Sequence, residues 1–125
     1  MSGSISKIVD HGFFGGMFWR EHYFYKKGDV HKGHTHELDH ATILIKGSLK
    51  VNVEGEEPYE VSAPSVIEIS REIMHEFTAL EDNTIYMCVF ATDKYEETLF
   101  TMSKEQKANF LKRMLCKDCE GCSEK

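Results

Sequence analysis

The sequence predicts a mostly β domain, a barrel or sandwich of short strands, with a single α-helix at its C-terminal end. Three observations carry this reading. Short apolar or alternating runs follow one another from Met17 to Ala91, separated by turn signals, which is the pattern of an antiparallel barrel or sandwich. Helical periodicity is confined to the segment after Ser103. A chain of 125 residues with 41% hydrophobic content forms one domain, residues 1–125, that can bury a core without disulfides.

The elements follow in order. The first dozen residues are small and polar and are expected to form a loose arm ahead of a barrel spanning about 13–95. His11-Gly-Phe-Phe-Gly-Gly leads into an aromatic-rich strand from Met17 to Tyr25. After Gly28 comes a cluster of histidines, then Ala41-Thr-Ile-Leu-Ile-Lys-Gly47, an apolar run of strand length. Leu49 to Val53 alternates, Glu54-Gly55-Glu56 marks a turn, and Tyr59 to Val61 resumes extended structure. Val66 to Ile69 and Thr84 to Ala91 complete the strands. Ser103-Lys-Glu-Gln106 is a capping box, and Phe110, Leu111, Met114 and Leu115 recur at helical spacing. They predict an amphipathic helix over 104–116 on the outside of the barrel, followed by a cysteine-rich tail, 116–125.

Charge and composition exclude several classes. A formal net charge of −6 speaks against nucleic-acid binding. No stretch approaches the roughly 20 apolar residues of a membrane span. Met1 to Asp10 does not read as a signal peptide, so a cytoplasmic protein with reduced thiols at Cys88, Cys116, Cys119 and Cys122 is expected. Exposed sheet edges make a homodimer a possible assembly.

Seven histidines are present, and their arrangement matters more than their number. His34 and His36 are two apart, so on an extended backbone they project from one face. His40 follows at the mouth of the Ala41 strand and reaches the same point if the chain bends between Glu37 and Asp39. Neutral imidazole is a common donor to Zn, Fe, Ni, Cu and Mn. On spacing alone, a metal site and a solvated histidine-rich turn stand equal. His31 lies at an odd offset from His34 and is expected at the surface. His22 shares a strand face with Phe18, Arg20 and Phe24. If that face looks inward, Arg20 and His22 can bind an anion; packing or a solvent position is the alternative.

Gly28-(five residues)-His34-Thr-His36-(three residues)-His40-(six residues)-Gly47 resembles the first motif of the cupin superfamily, G-x5-H-x-H-x3,4-E-x6-G, with His40 where the family has Glu. After a gap of sixteen residues, Pro64 starts a stretch similar to the second motif, G-x5-P-x-G-x2-H-x3-N. Ser70 stands for its Pro, Glu72 for its second Gly, His75 keeps the histidine and Ala79 replaces Asn. The resemblance covers about Met17 to Ala91 and implies a cupin-type double-stranded β-helix, the jelly-roll barrel of that superfamily. It also implies one divalent transition metal held by His34, His36, His40 and His75.

Iron(II) is preferred by similarity to cupin dioxygenases, with Zn, Ni, Mn or Cu as alternatives. Four neutral imidazoles leave nearly the full +2 of such an ion uncompensated, which favours a small anionic, oxygen-donating molecule. The implied activity is a metal-dependent, dioxygenase-like oxygenase. A non-catalytic small-molecule or metal sensor and a metal-dependent isomerase or lyase are the other readings. Cys116-x2-Cys119-x2-Cys122 lies outside both motifs, and thiolates at that spacing need a fourth ligand to hold zinc or an iron–sulfur cluster.

Overall fold

The computed structural model describes residues 7–34 and 38–116. Nine strands are described: β1 (Lys7–Phe14), β2 (Met17–Phe24), β3 (Val30–His34), β4 (His40–Lys46), β5 (Ser48–Val53), β6 (Tyr59–Ser62), β7 (Ser65–Ile69), β8 (His75–Ala79) and β9 (Thr84–Ala91). A short 3-10 turn (Asp93–Tyr95) leads into α1 (Glu96–Leu99), and α2 (Lys104–Cys116) closes the described chain.

The strands form two antiparallel sheets, one ordered β1-β2-β9-β4-β7 and the other β3-β8-β5-β6. The chain crosses repeatedly between them, so β3, β5, β6 and β8 face β2, β4, β7 and β9 in a jelly roll, the predicted fold class. Inward positions alternate along β2, β4, β8 and β9. In β2 these are Phe18, Arg20, His22 and Phe24, and in β9 Thr84, Tyr86, Cys88 and Phe90. Leu44, Leu49, Val51 and Phe77 fill the space between the sheets. Burial of these apolar side chains, worth about 1.5–3 kcal/mol each, is the main favourable term in folding.

Several expectations need correction. The stretch expected to be a loose arm contains β1, which pairs with β2 from Lys7↔Tyr23 to Phe14↔Met17. Gly15 and Gly16 close that hairpin at φ +59° and +82°, the two positive values that a two-residue turn between twisted strands requires. The His31–His34 stretch belongs to β3, and β8 is a strand that the alternation of Thr, Phe and His concealed. The capping box is present as predicted. The Ser103 backbone N–H donates to Gln106 Oε1 at 2.9 Å, and the Gln106 N–H to Ser103 Oγ at 3.1 Å. Helix α2 lies against β1, with Leu111 buried and Lys107 Nζ 5.1 Å from the Phe13 ring centroid. Among the described residues no helix is long and apolar enough to cross a membrane. Cys88 is buried, as a small side chain in an apolar strand should be, whereas Cys119 and Cys122 lie outside the described residues.

Candidate metal centre

Three of the expected ligands, His34, His40 and His75, sit at strand ends on the same edge of the sandwich. His40 opens β4, where Ile69 of β7 and Phe90 of β9 flank it. His75 opens β8, opposite Val53 of β5 and His34 of β3. His40 is 6% exposed and His75 2%, and their ring centroids lie 5.2 Å apart although 34 residues separate them in sequence. The backbone thus brings three of the four positions together: His40 and His75 by side chain, His34 by register. His36 lies outside the described residues. Among the described residues no group of three or more His, Cys, Asp or Glu side chains meets at one point.

The donor chemistry of His75 fits a metal. Its Nδ1 lies 3.2 Å from the Ile73 carbonyl oxygen, which can only accept, so Nδ1 carries the hydrogen. In the neutral ring Nε2 then holds a lone pair. Metal-bound histidines have this arrangement, with the outer nitrogen tied to a carbonyl or carboxylate to fix tautomer and ring direction. The turn that delivers His75 is pinned on the β5 side as well: the Glu54 N–H donates to the Met74 carbonyl at 2.9 Å, and the Met74 N–H to Glu54 Oε1 at 3.3 Å. Glu72 sits in this turn at φ +62°, in the left-handed region. The second motif has glycine at this point, and the backbone keeps the glycine conformation without the glycine.

Around the two histidines the interior is unusually polar. His40 stacks on Phe90 at 4.6 Å, and the Arg20 guanidinium carbon lies 5.1 Å from the centroid of that same ring. Arg20 and His22 are both fully buried, so their face looks inward. His22 stacks on Tyr86 at 4.7 Å and on His31 at 4.9 Å, and His31 Nδ1 is hydrogen-bonded to the Tyr86 hydroxyl. Thr42 Oγ1 lies 3.4 Å from Cys88 Sγ.

His31 is therefore interior, not superficial, being only 1% exposed. The reason is a register shift in β3: His31 pairs with Phe77 and His34 with His75, so one extra residue lies on β3 between these pairs. A β-bulge of this kind reverses the parity that an odd spacing implies. Tyr86 was not singled out in the sequence, although Thr84-x-Tyr86-x-Cys88-x-Phe90 alternates as cleanly as the apolar strands.

At the rim, Arg71 hydrogen bonds hold the Asp39 carboxyl below the usual carboxylate range, the side-chain bond contributing most and the backbone bond next. Arg71 is correspondingly pushed up by Asp39.

The sequence matches no family model and no curated protein. Many solved structures do match. KdgF from Halomonas sp. aligns at TM-score 0.59 and 25% identity, over 74% of this chain and 82% of its own. An RmlC-like cupin with a double-stranded β-helix fold from Methanocaldococcus jannaschii aligns at TM-score 0.59 and 13% identity, over 78% and 88%. The DMSP lyase DddQ from Ruegeria pomeroyi aligns at TM-score 0.57 and 12% identity, over 62% of this chain but only 39% of its own. With the two-sheet topology, these likenesses show that the chain has the cupin-type double-stranded β-helix fold.

Proposed function

We propose that this protein holds one divalent transition metal through His34, His36, His40 and His75 and acts on a small anionic molecule bound beside it. The observation that carries the reading is the meeting of the buried His40 and His75 rings, 5.2 Å apart, with His75 fixed in the tautomer that leaves Nε2 as a donor. Neutral imidazoles leave the charge of the ion uncompensated, and Arg20, permanently protonated, adds positive charge to the same interior one ring away. Both features favour an anionic, oxygen-donating ligand. A bound ion supplies Lewis-acid charge and open coordination positions. The protein supplies the dry surroundings of Phe18, Phe90 and Ile69 and the guanidinium that orients an acid group.

The reaction class we propose first is a dioxygenase-like oxidation with iron(II), by analogy to cupin dioxygenases with histidine-rich sites. The second is a metal-dependent isomerisation or elimination, and one observation favours it: the buried hydrogen bond between His31 and Tyr86 joins two groups able to take and return a proton. Metal content of protein purified without added ions tests the common premise. One equivalent of a transition metal in wild type and little in His75→Ala is the expected result, and metal-free wild type that takes up no added Fe(II), Zn or Ni refutes it. Oxygen uptake by anaerobically iron-loaded protein with keto acids and diketones then separates the classes. Full occupancy with no uptake by any of them excludes the oxygenase reading for these substrates and leaves the second.

A further inference from the structure

We infer that Asp39 and Arg71 form a clasp that sets metal affinity by holding together the two loops carrying the expected ligands. The inference rests on the metal reading above. Two connections between the sheets have their described ends in contact at this edge, through Asp39 and Arg71. One runs from β3 to β4 and ends at His40; the other runs from β7 to β8 and ends at His75. Backbone pairing between β4 and β7 stops at His40↔Ile69. Beyond that point the Asp39 carboxylate takes over from the missing ladder. It accepts from the Arg71 backbone N–H at 2.7 Å, from Nη2 at 3.1 Å and, more weakly, from Nε at 3.4 Å. The residue after Arg71 is the left-handed Glu72, where the chain turns towards His75. The clasp therefore closes on the peptide next to His40 and on the last residue before the turn.

Exposure separates this role from ordinary stabilisation. The Arg71 and Asp39 side chains are 54% and 59% exposed, so the pair contributes little to global folding. A link between two loops acts instead on the entropy of bringing their histidines to one point. Preorganised donors bind more tightly because less ordering is left for the binding step. Residues just outside a metal shell typically change affinity by about 10- to 100-fold, and the exposure of this pair sets the expectation at the low end.

The test is zinc binding to the full chain, measured by competition with a chromophoric chelator, alongside the melting temperature of the metal-free protein. Asp39→Ala, which removes both connections, is expected to raise the zinc Kd by about tenfold. Arg71→Ala, which keeps its backbone N–H, is expected to raise it by roughly threefold. The double variant should be no weaker than Asp39→Ala, because both changes break one device. In all three the metal-free melting temperature stays within about 2 °C of wild type, as for a surface pair. Asp39→Ala with a zinc Kd within twofold of wild type overturns the clasp. So does a loss of affinity matched by a large fall in metal-free stability, which marks a structural role. Wild type that binds no zinc overturns the metal reading and the clasp with it; wild-type binding with unaffected variants overturns the clasp alone.

Discussion

Replacing Glu72 by glycine should stabilise this protein, an unusual direction for a point mutation. Glu72 holds φ at +62° in the turn between β7 and β8. A side chain with Cβ in the left-handed region costs about 1–2 kcal/mol, and glycine has no such cost. Against this stands the larger backbone freedom of glycine in the unfolded chain, worth about 0.4–1 kcal/mol. The net gain is about 0.5–1 kcal/mol. At about 2.1 cal/mol/K of unfolding entropy per residue, the 125 residues of this chain convert that gain into a rise of about 2–4 °C in melting temperature. Trp19, the one tryptophan, reports unfolding by fluorescence, and calorimetry gives the same midpoint independently. Glu72→Ala is the necessary control, since it removes the carboxylate next to Arg71 but keeps Cβ and the strain. The backbone argument requires Gly to exceed Ala by at least 0.5 kcal/mol. Equal shifts in both variants would assign the effect to the lost charge, and a lower melting temperature for Glu72→Gly would refute the reasoning.

Other perturbations have equally definite outcomes. Gly47→Ala should cost about 2–4 kcal/mol by denaturant titration. Its backbone is at φ +90°, and a Cβ would lie 3.0 Å from Cα and Cβ of Thr84, a buried residue whose hydroxyl donates to the Glu81 carbonyl. A loss below 1 kcal/mol would show that the β4–β5 corner can relax. His11 has its pKa lowered, chiefly by burial against α2 and next by Lys112. Lys112→Met should raise its NMR titration midpoint part of the way towards 6.5, and an unchanged midpoint would mean the helix is not seated as described. Because the folded value is depressed, the contribution of His11 is present above the unfolded pKa and lost as pH falls through the folded one. Zinc at about 100 times its Kd should raise the melting temperature by roughly 10 °C through about 2.7 kcal/mol of linkage. His40→Ala should abolish that rise, and an equal rise in the variant would remove His40 from the ligand set.

Most of the fold was legible because its strands obey simple periodicities. The β4, β5, β7 and β9 strands carry apolar or alternating runs, and the capping box at Ser103 marks the start of α2 to the residue. The failures share a cause. In β3 and β8 histidines take inward positions, His31 in the one and His75 beside Phe77 and Ala79 in the other, so a pattern that looks for Leu, Ile and Val passes over both short strands. Strand β1 was hidden because Gly15-Gly16 reads as a loose lead-in when it is the hairpin turn itself. His31 was put on the wrong side because counting by twos assumes an unbroken ladder, and an added residue in β3 leaves no mark in the sequence. The site was legible where motif spacing named the histidines. The polar layer behind them was legible in part: strand periodicity put Arg20 and His22 on one face, which proves to look inward, whereas Tyr86 and Cys88 join them only when β2 and β9 are laid side by side.

That layer argues for chemistry over mere packing. By register, Phe18, Phe90, His40 and Ile69 form one level of the five-stranded sheet; Arg20, Cys88, Thr42 and Ile67 form the next; His22, Tyr86 and Leu44 the one below. The facing sheet at these depths presents Val53, Val51, Leu49, Phe77 and Ala79, an ordinary apolar surface except for His31 and His75. A buried guanidinium or imidazole is costly unless satisfied, and apolar residues of similar volume are often as stable or more so. Stability alone therefore gives no reason to keep Arg20, His22 and Tyr86 in two successive inward levels behind the histidine edge. The four-stranded sheet is apolar apart from His31 and His75, whereas the five-stranded sheet sets Arg20, His22, His40 and Tyr86 among its apolar side chains. Under the proposed metal reading, these two faces would be the walls on either side of a bound anion, with Arg20 and His22 on the polar one.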